Sequence, residues 1–393
     1  VIAKQRFNCR LCDGTFRPVL SLGDQYLVRF PDKIDESLPK APLSLVQCES
    51  CHLLQLEHTT NPDLLFREFY YRSGINQTMR DALQDVVDDA SHYVRKGVWL
   101  DIGANDGYLL SCLPDGWIKI ACEPAQNFRP NLEEHADHVI SDYFSADHDC
   151  LWDKTRGRCD VVTSVACFYD VDDPNEFVAD VAEVMAPGGV WINQLNDSPT
   201  MLKRNAFDSV CHEHLVYYDI HNLAQLYAKH GLVITKISFN EVNGGSVRIF
   251  AHKEVSGLQP MNLLGVPRVS PEAAGAFASR VKRWKQEMGN YLNSLKTGVW
   301  GYGASTKGAV LLQYLDCDDR IVAIADRNPT KHGKMMVGSW APIVGEAEMR
   351  VATPPHVLVL PWAFKDEFTE REAETRAAGS VFIYPLPQIE IQL

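Results

Sequence analysis

A chain of 393 residues is too long for one compact core, so two or three domains are expected. Its apolar share of 46% is ordinary for a globular protein, and no apolar run approaches the ~20 residues of a membrane span. With 38 basic against 51 acidic residues, the formal charge of −13 leaves no surplus of cations for phosphate neutralisation, which argues against a nucleic-acid binder.

The chain opens on two Cys-x-x-Cys pairs, Cys9/Cys12 and Cys48/Cys51. Each places two thiols around a tight turn, and four thiolates so paired suit a tetrahedral structural zinc. Neither pair has the strand-then-helix setting of a redox pair, and His52 reads as a bystander beside four thiolates. The other cysteines (Cys112, Cys122, Cys150, Cys159, Cys167, Cys211 and Cys317) are scattered, several in apolar strand-like runs, and read as reduced core thiols. The opening segment lacks the apolar stretch of a signal peptide, so a cytoplasmic setting is expected.

Asn61-Pro62 suits a helix start. A helical pattern is read over 61–96, interrupted by the aromatic and hydroxyl residues of Phe69–Met79 and resumed from Met79 to Val94. From 97 to 253 apolar strands alternate with helices. The strands are Val98–Ile102, Ile118–Cys122, Val161–Val165, Val190–Leu195, Leu232–Phe239 and Ser246–His252, and Asn175–Met185 is one of the helices. Such βα alternation implies a mostly parallel sheet covered on both faces. The short Asn243-Gly244-Gly245 turn makes the last two strands an antiparallel hairpin. That pattern is the methyltransferase variant of the doubly wound α/β fold. Beyond Pro260, Pro267 and Pro271, a polar helix over Glu272–Leu295 leads into a second, smaller α/β unit. It begins with the turn Gly301-Tyr-Gly303-Ala-Ser-Thr-Lys307-Gly308 and continues with strands Ile321–Ala325 and Val357–Leu360. The expected domains are 1–60, 61–255 and 256–393.

The first strand runs into Asp101-Ile-Gly103-Ala-Asn105-Asp106-Gly107. In an open α/β sheet ligands bind beyond the carboxyl ends of the strands, where glycine permits close backbone approach. The turn departs from the dinucleotide pattern and carries acids where a pyrophosphate would be repelled. S-adenosylmethionine, with a sulfonium and an ammonium group, fits better, with Asp101 and Asp106 as its partners. Glu123, closing the second strand, can accept two ribose hydroxyls, and Asp142-Tyr143 suit an adenine.

The densest chemistry lies in Asn205-Ala-Phe207-Asp208-Ser-Val-Cys211-His212-Glu213-His214. Its histidines are two apart, unlike the i, i+4 pair of a zinc protease. In extended chain His212 and His214 would share a face and Glu213 would point the other way. Beside a cofactor pocket, the trio reads as acid–base machinery.

At this point the sequence resembles the nucleotide-sugar C-3′-methyltransferases of deoxysugar pathways. The match runs through the cysteine pairs, Tyr71-Arg72-Ser73-Gly74, the cofactor turn, the His-Glu-His motif, Gly244-Gly-Ser-x-Arg248, Gly301-Tyr-Gly-Ala-x-x-Lys307, Asp326-Arg327-Asn328-Pro329 and Leu360-Pro-Trp362-x-Phe364. The resemblance implies a zinc head, a class I methyltransferase sheet for S-adenosylmethionine, and a C-terminal Rossmann-like domain, with the nucleotide-sugar between domains. It makes His214 the expected base, with Glu213 and Tyr71 nearby and Tyr71 or His212 holding an enolate oxygen. It places Arg72, Ser73, Asn243, Arg248, Lys307, Arg327, Asn328 and Trp362 toward the substrate. Three positions depart from the family, which commonly has Tyr at 211 and His at 170 and 243; the sugar, nucleotide and stereochemistry stay open. An O-methyltransferase is the alternative. A monomer without nucleic-acid or membrane partners is expected.

Overall fold

The computed structural model describes residues 1–148, 158–253 and 257–392. Its centre is a seven-stranded sheet. Gly97–Ile102 is an inner strand, parallel to Trp117–Cys122 on one side and to Cys159–Val165 on the other. His138–Ile140 extends the first side and Met185–Asn196 the second, both parallel. The chain therefore reverses its winding direction at Gly97–Ile102, and the crevice at the carboxyl ends of these strands is where such sheets take ligands. Leu232–Asn240 and Ser246–Lys253 pair antiparallel, as the short turn predicts. The second of them inserts next to Met185–Asn196, also antiparallel, leaving the first at the edge.

Helix Gln77–Ala90 buries Met79, Ala82, Leu83, Val86, Val87 and Ala90, the single stripe that 3.6-residue spacing produces. Asn76 caps it by accepting the Thr78 N–H at 2.9 Å. The helix expected from Asn61 is one turn, Asp63–Phe66. Residues after it are held as a loop by side chains remote in sequence: Asn127 grips both backbone groups of Phe69, at 3.0 Å each.

The N-terminal sheet contains Phe16–Tyr26, Lys40–Cys48 and Leu54–Leu56, and its last strand is Val216–Tyr217. Those two residues follow closely on His214, so the sheet of the head takes a strand from the central region. In the C-terminal part, helix Pro271–Ser294 precedes a six-stranded sheet ordered Ile343–Gly345, Ile321–Asp326, Val299–Tyr302, His356–Val359, Val381–Tyr384, Glu390–Gln392, parallel except for the last strand. This is the Rossmann-like order that was expected, with three further strands that sequence patterning did not mark. The 255/256 boundary and Cys150 lie outside the described residues. Among the described residues no disulfide joins two cysteines, and no helix is long and apolar enough to cross a membrane.

Candidate active site

The sulfurs of Cys9, Cys12, Cys48 and Cys51 lie within 4.8 Å of one another, with Cys9–Cys51 at 3.7 Å and Cys12–Cys48 at 3.5 Å. A tetrahedral zinc with bonds of ~2.3 Å needs sulfurs about 3.8 Å apart, so the cage fits the ion. Backbone N–H groups of Leu11 and Ser50 point at the sulfurs of Cys9 and Cys48, both at 3.4 Å, as acceptors carrying negative charge require. Between the first two ligands sits Arg10, whose fully buried side chain donates to the Leu56 carbonyl at 2.6 Å, Thr59 Oγ1 at 2.7 Å and Asp172 Oδ1 at 3.0 Å. The metal knuckle is thereby tied to the wall of the main cavity.

That cavity, of about 650 Å³, is lined by all three parts of the chain: Thr59 from the head, Asp101, Glu123 and His214 from the centre, Lys307 and Trp362 from the C-terminal part. At the cofactor end Gly103 has φ +72°, and a Cβ there would stand 2.8 Å from the Cβ of Cys167. Only glycine lets the turn close on the neighbouring strand end. Asp101 accepts Thr163 Oγ1–H at 2.7 Å, and burial pushes its pKa up to about 7. Glu123 accepts the N–H of Asn105 at 2.8 Å with one oxygen and of Ala125 at 2.9 Å with the other. Each oxygen keeps a lone pair for a ribose hydroxyl. Two buried acids at the switch point, one of them rigidly aimed, suit an adenosyl cofactor that carries positive charge.

Other residues of that set play a different part. The Asp106 carboxylate accepts Gly74 N–H at 2.9 Å, and Asn105 accepts Ser73 N–H at 3.0 Å while donating to the Tyr71 carbonyl at 3.1 Å. Together they strap the Tyr71–Gly74 loop over the turn; Tyr71, Ser73 and Asn105 line the cavity, and Asp106 and Gly107 do not. Asp142 is paired with Arg67 at 3.1 Å, away from the cavity, whereas Tyr143 lines it and donates to Asp63 at 3.1 Å. Asp142 faces a cation of the protein instead of an adenine.

The His-Glu-His segment is a turn, closed by His214 N–H to the Cys211 carbonyl at 3.1 Å, so the alternation expected of extended chain is absent. His212 turns toward the head and donates Nε2–H to the Ala41 carbonyl at 3.0 Å. It staples two regions together; like His214 it keeps one ring nitrogen unprotonated, and it too lines the cavity. His214 donates Nδ1–H to the Ser209 carbonyl at 2.9 Å, which fixes the tautomer and leaves the Nε2 lone pair unprotonated. Burial first, and then the Lys307 cation, lower its pKa to about 3. Its ring rests against Tyr169, centroids 4.3 Å apart. Glu213 is buried, with burial raising its pKa.

Of the residues assigned to the substrate, Ser73, Asn243, Lys307 and Trp362 line the cavity. Lys307 donates to the Asn243 carbonyl at 2.9 Å, and Trp362 donates its indole N–H to Asp208 at 2.8 Å. The rest are engaged elsewhere. Arg248 is buried against Asp89, Gln194 and the Ala82 carbonyl, fastening helix Gln77–Ala90 to the sheet. Arg72 reaches Asn131 at 3.2 Å, Arg327 pairs with Glu367 at 3.3 Å, and Asn328 caps the turn at Thr330. A sequence motif reports that a residue is constrained; Arg248 is held by burial, and Arg72, Arg327 and Asn328 by polar partners nearer the surface. Conversely, Asp170, Asp208, Tyr169 and Cys167 line the cavity without having been assigned to it. Asp208 stood inside the motif and Asp170 was visible only as a departure from the family.

Three families match the chain in succession. Residues 9–66 match one described as "Putative zinc binding domain", residues 72–237 "Methyltransferase domain", and residues 241–387 "C-methyltransferase C-terminal domain". The C-methyltransferase NovU of Streptomyces niveus is 26% identical over 365 residues, covering 88% of this chain and 86% of that protein. Among solved structures, an S-adenosylmethionine-dependent methyltransferase from Clostridium acetobutylicum is 11% identical, covering 45% of this chain and 92% of its own, with a TM-score of 0.36. The PH0226 protein from Pyrococcus horikoshii is 16% identical, covering 47% and 95%, with a TM-score of 0.38. The chain matches a zinc-binding, a methyltransferase and a C-methyltransferase family in turn and is similar to a C-methyltransferase over most of its length; it is an S-adenosylmethionine-dependent methyltransferase.

Proposed function

We propose that the enzyme methylates C-3 of a nucleotide-linked 4-keto-6-deoxysugar. The observation that carries this reading is the continuity of the cavity, from Asp101 and Glu123 through His214 to Lys307. An adenosyl group, a carbon acid and a diphosphate can occupy that line in order. Carbon becomes a nucleophile only if its proton is acidic, and a ketone on the next carbon supplies that acidity. The bound cofactor supplies an electrophilic methyl on its sulfonium.

The residues do the rest. His214, fixed by Ser209, presents Nε2 to the C-3 proton. Its low pKa keeps it neutral at any cellular pH, and Lys307 is one cause of that low value. A substrate diphosphate paired with Lys307 removes the repulsion, and the enolate formed beside the ring favours the imidazolium, so binding itself strengthens the base. Tyr71 closes the strapped loop over the same space.

The test is incubation with S-adenosylmethionine and thymidine-, guanosine- and cytidine-diphosphate 4-keto-6-deoxysugars, read by mass and by the position of the new methyl group. Carbon methylation of one member is expected; methylation on oxygen would select the O-methyltransferase alternative. With S-adenosylhomocysteine in place of the donor, deuterium exchange at C-3 isolates proton removal. His214→Asn should slow it by ~10²–10⁴ with both ligands still bound. Exchange at the parental rate would move the base elsewhere.

A further inference from the structure

The main cavity holds carboxyls that proton removal by His214 does not use. Asp170 follows Tyr169, whose carbonyl accepts Leu215 N–H at 2.9 Å and whose ring lies on His214. That backbone bond runs segment 169–170 alongside segment 213–215, and Asp170 and Glu213 both line the cavity there. Oδ1 of Asp170 and Oε2 of Glu213 are each buried with no hydrogen-bond partner. The cations on this side, Arg6 and Arg10, are drawn off by Asp172, at 3.1 and 3.0 Å. A buried carboxyl oxygen without a partner is costly, and two such acids side by side do not both ionise.

We propose that Asp170 is held as the neutral acid and gives its O–H hydrogen bond to the oxygen that becomes anionic when His214 removes the substrate proton. This deepens, and rests on, the ketosugar reading. Burial, and then the charge of Glu213, raise the pKa of Asp170 well above that of an ordinary carboxyl. The other groups facing this corner are Cys167 and Tyr169 from its own segment, Cys211, His214 and Tyr217 from the facing one, and Lys307 across the cavity.

The proton balance closes. The C–H electron pair moves into the enolate as the proton passes to His214 Nε2, and the enolate oxygen accepts, without taking, the Asp170 proton. Methyl transfer to the enolate carbon, for which bound S-adenosylmethionine would supply the sulfonium methyl and leave as S-adenosylhomocysteine, would restore the ketone, and the proton on His214 would leave to solvent. No oxidant or reductant is required. A donor placed where charge develops typically contributes 10²–10³ in rate.

Two measurements on the full-length enzyme test the assignment. In infrared titration without substrate, a protonated carboxyl band should persist at neutral pH, vanish in Asp170→Asn, and shift its midpoint down by about one pH unit or more in Glu213→Gln. In the C-3 exchange assay with a thymidine-diphosphate 4-keto-6-deoxysugar and S-adenosylhomocysteine, Asp170→Asn, still a neutral donor, should stay within about threefold of the parent, whereas Asp170→Ala should lose ~10²–10³. The parental rate should also fall as pH rises through the infrared midpoint, and the Asn variant should lack that fall. An ionised Asp170 at neutral pH, or an Asn variant as slow as Ala, would overturn the proposal. If the parent exchanged no 4-ketosugar, the substrate reading would fall, and the neutral Asp170 would be decided by the infrared arm alone.

Discussion

The molecule builds the same strand–turn–helix twice. After Gly97–Ile102, Glu123 at the end of the next strand accepts the N–H of Asn105 at 2.8 Å and of Ala125 at 2.9 Å. After Val299–Tyr302, Asp326 at the end of the next strand accepts the N–H of Ala304 at 2.7 Å and of Asn328 at 2.8 Å. The packing repeats too: Gly303, at φ +88°, would press a Cβ to 2.4 Å from Pro361, as Gly103 would against Cys167. The two turns part in what the acid faces. Glu123 opens onto the cavity, while Asp326 lies outside it with the Lys331 ammonium at 3.8 Å. What the second turn turns toward the cavity is Ser305, Thr306 and Lys307. One wiring of the backbone thus recurs at two places on the cavity wall, where the first presents a carboxyl and the second hydroxyls and an ammonium. The arrangement also argues against a nicotinamide site at the second turn, since its ribose-binding position is already neutralised.

The comparison breaks first if the two acids are interchangeable for the cofactor. Glu123→Ala should weaken S-adenosylmethionine binding by roughly 10–100-fold in calorimetry, because two charge-assisted hydrogen bonds go, and Asp326→Ala should leave it unchanged. Equal effects would mean the turns are not distinguished by what they face. A smaller effect isolates the ammonium at the second turn. Lys331→Met should lower unfolding free energy by about 1–2 kcal/mol in urea melts, leaving the Asp326 charge with backbone partners alone, and should not touch cofactor affinity.

The smallest effect concerns pH. Asp101 has a folded pKa of about 7, raised by burial above its unfolded value. The folded chain therefore holds a proton that the unfolded chain has lost, and stability from this group falls as pH rises from about 4 to 7. Cofactor attraction needs the ionised form and runs the opposite way. Affinity should drop about fivefold from pH 7 to pH 6, and Asp101→Asn should flatten that dependence.

Much of this plan could be read along the chain. Two Cys-x-x-Cys pairs specify a four-sulfur cage because tetrahedral ligation tolerates few spacings, and the cage is there. Helix Gln77–Ala90 carries its burial pattern in its own periodicity, and strands such as Trp117–Cys122 are marked by their apolar runs. The glycine turn and Glu123 followed from the rule that ligands sit at strand ends. Harder to read were residues whose partners are far away in sequence. The break in the helical pattern at Phe69–Met79 could be read, but not that Asn105, Asp106 and Asn127 hold it as a loop. Arg72, Arg248 and Arg327 looked like ligands of a substrate because nothing local shows that Asn131, Asp89 and Glu367 already engage them.

The sequence by itself determined the metal cage, the alternation that makes two wound sheets, the acids at the first glycine turn and the His-Glu-His motif. All of these rest on chemistry within a few residues or on local periodicity. Tertiary structure alone decided which nitrogen each histidine keeps open, since the Ala41 carbonyl takes the Nε2–H of His212 and the Ser209 carbonyl the Nδ1–H of His214. It alone joined Leu54–Leu56 of the head to Val216–Tyr217 and so fixed the catalytic turn against the zinc domain. It also set Asp170 beside Glu213 in a buried corner, where low dielectric and mutual repulsion, neither of them a property of local sequence, decide which acid keeps its proton.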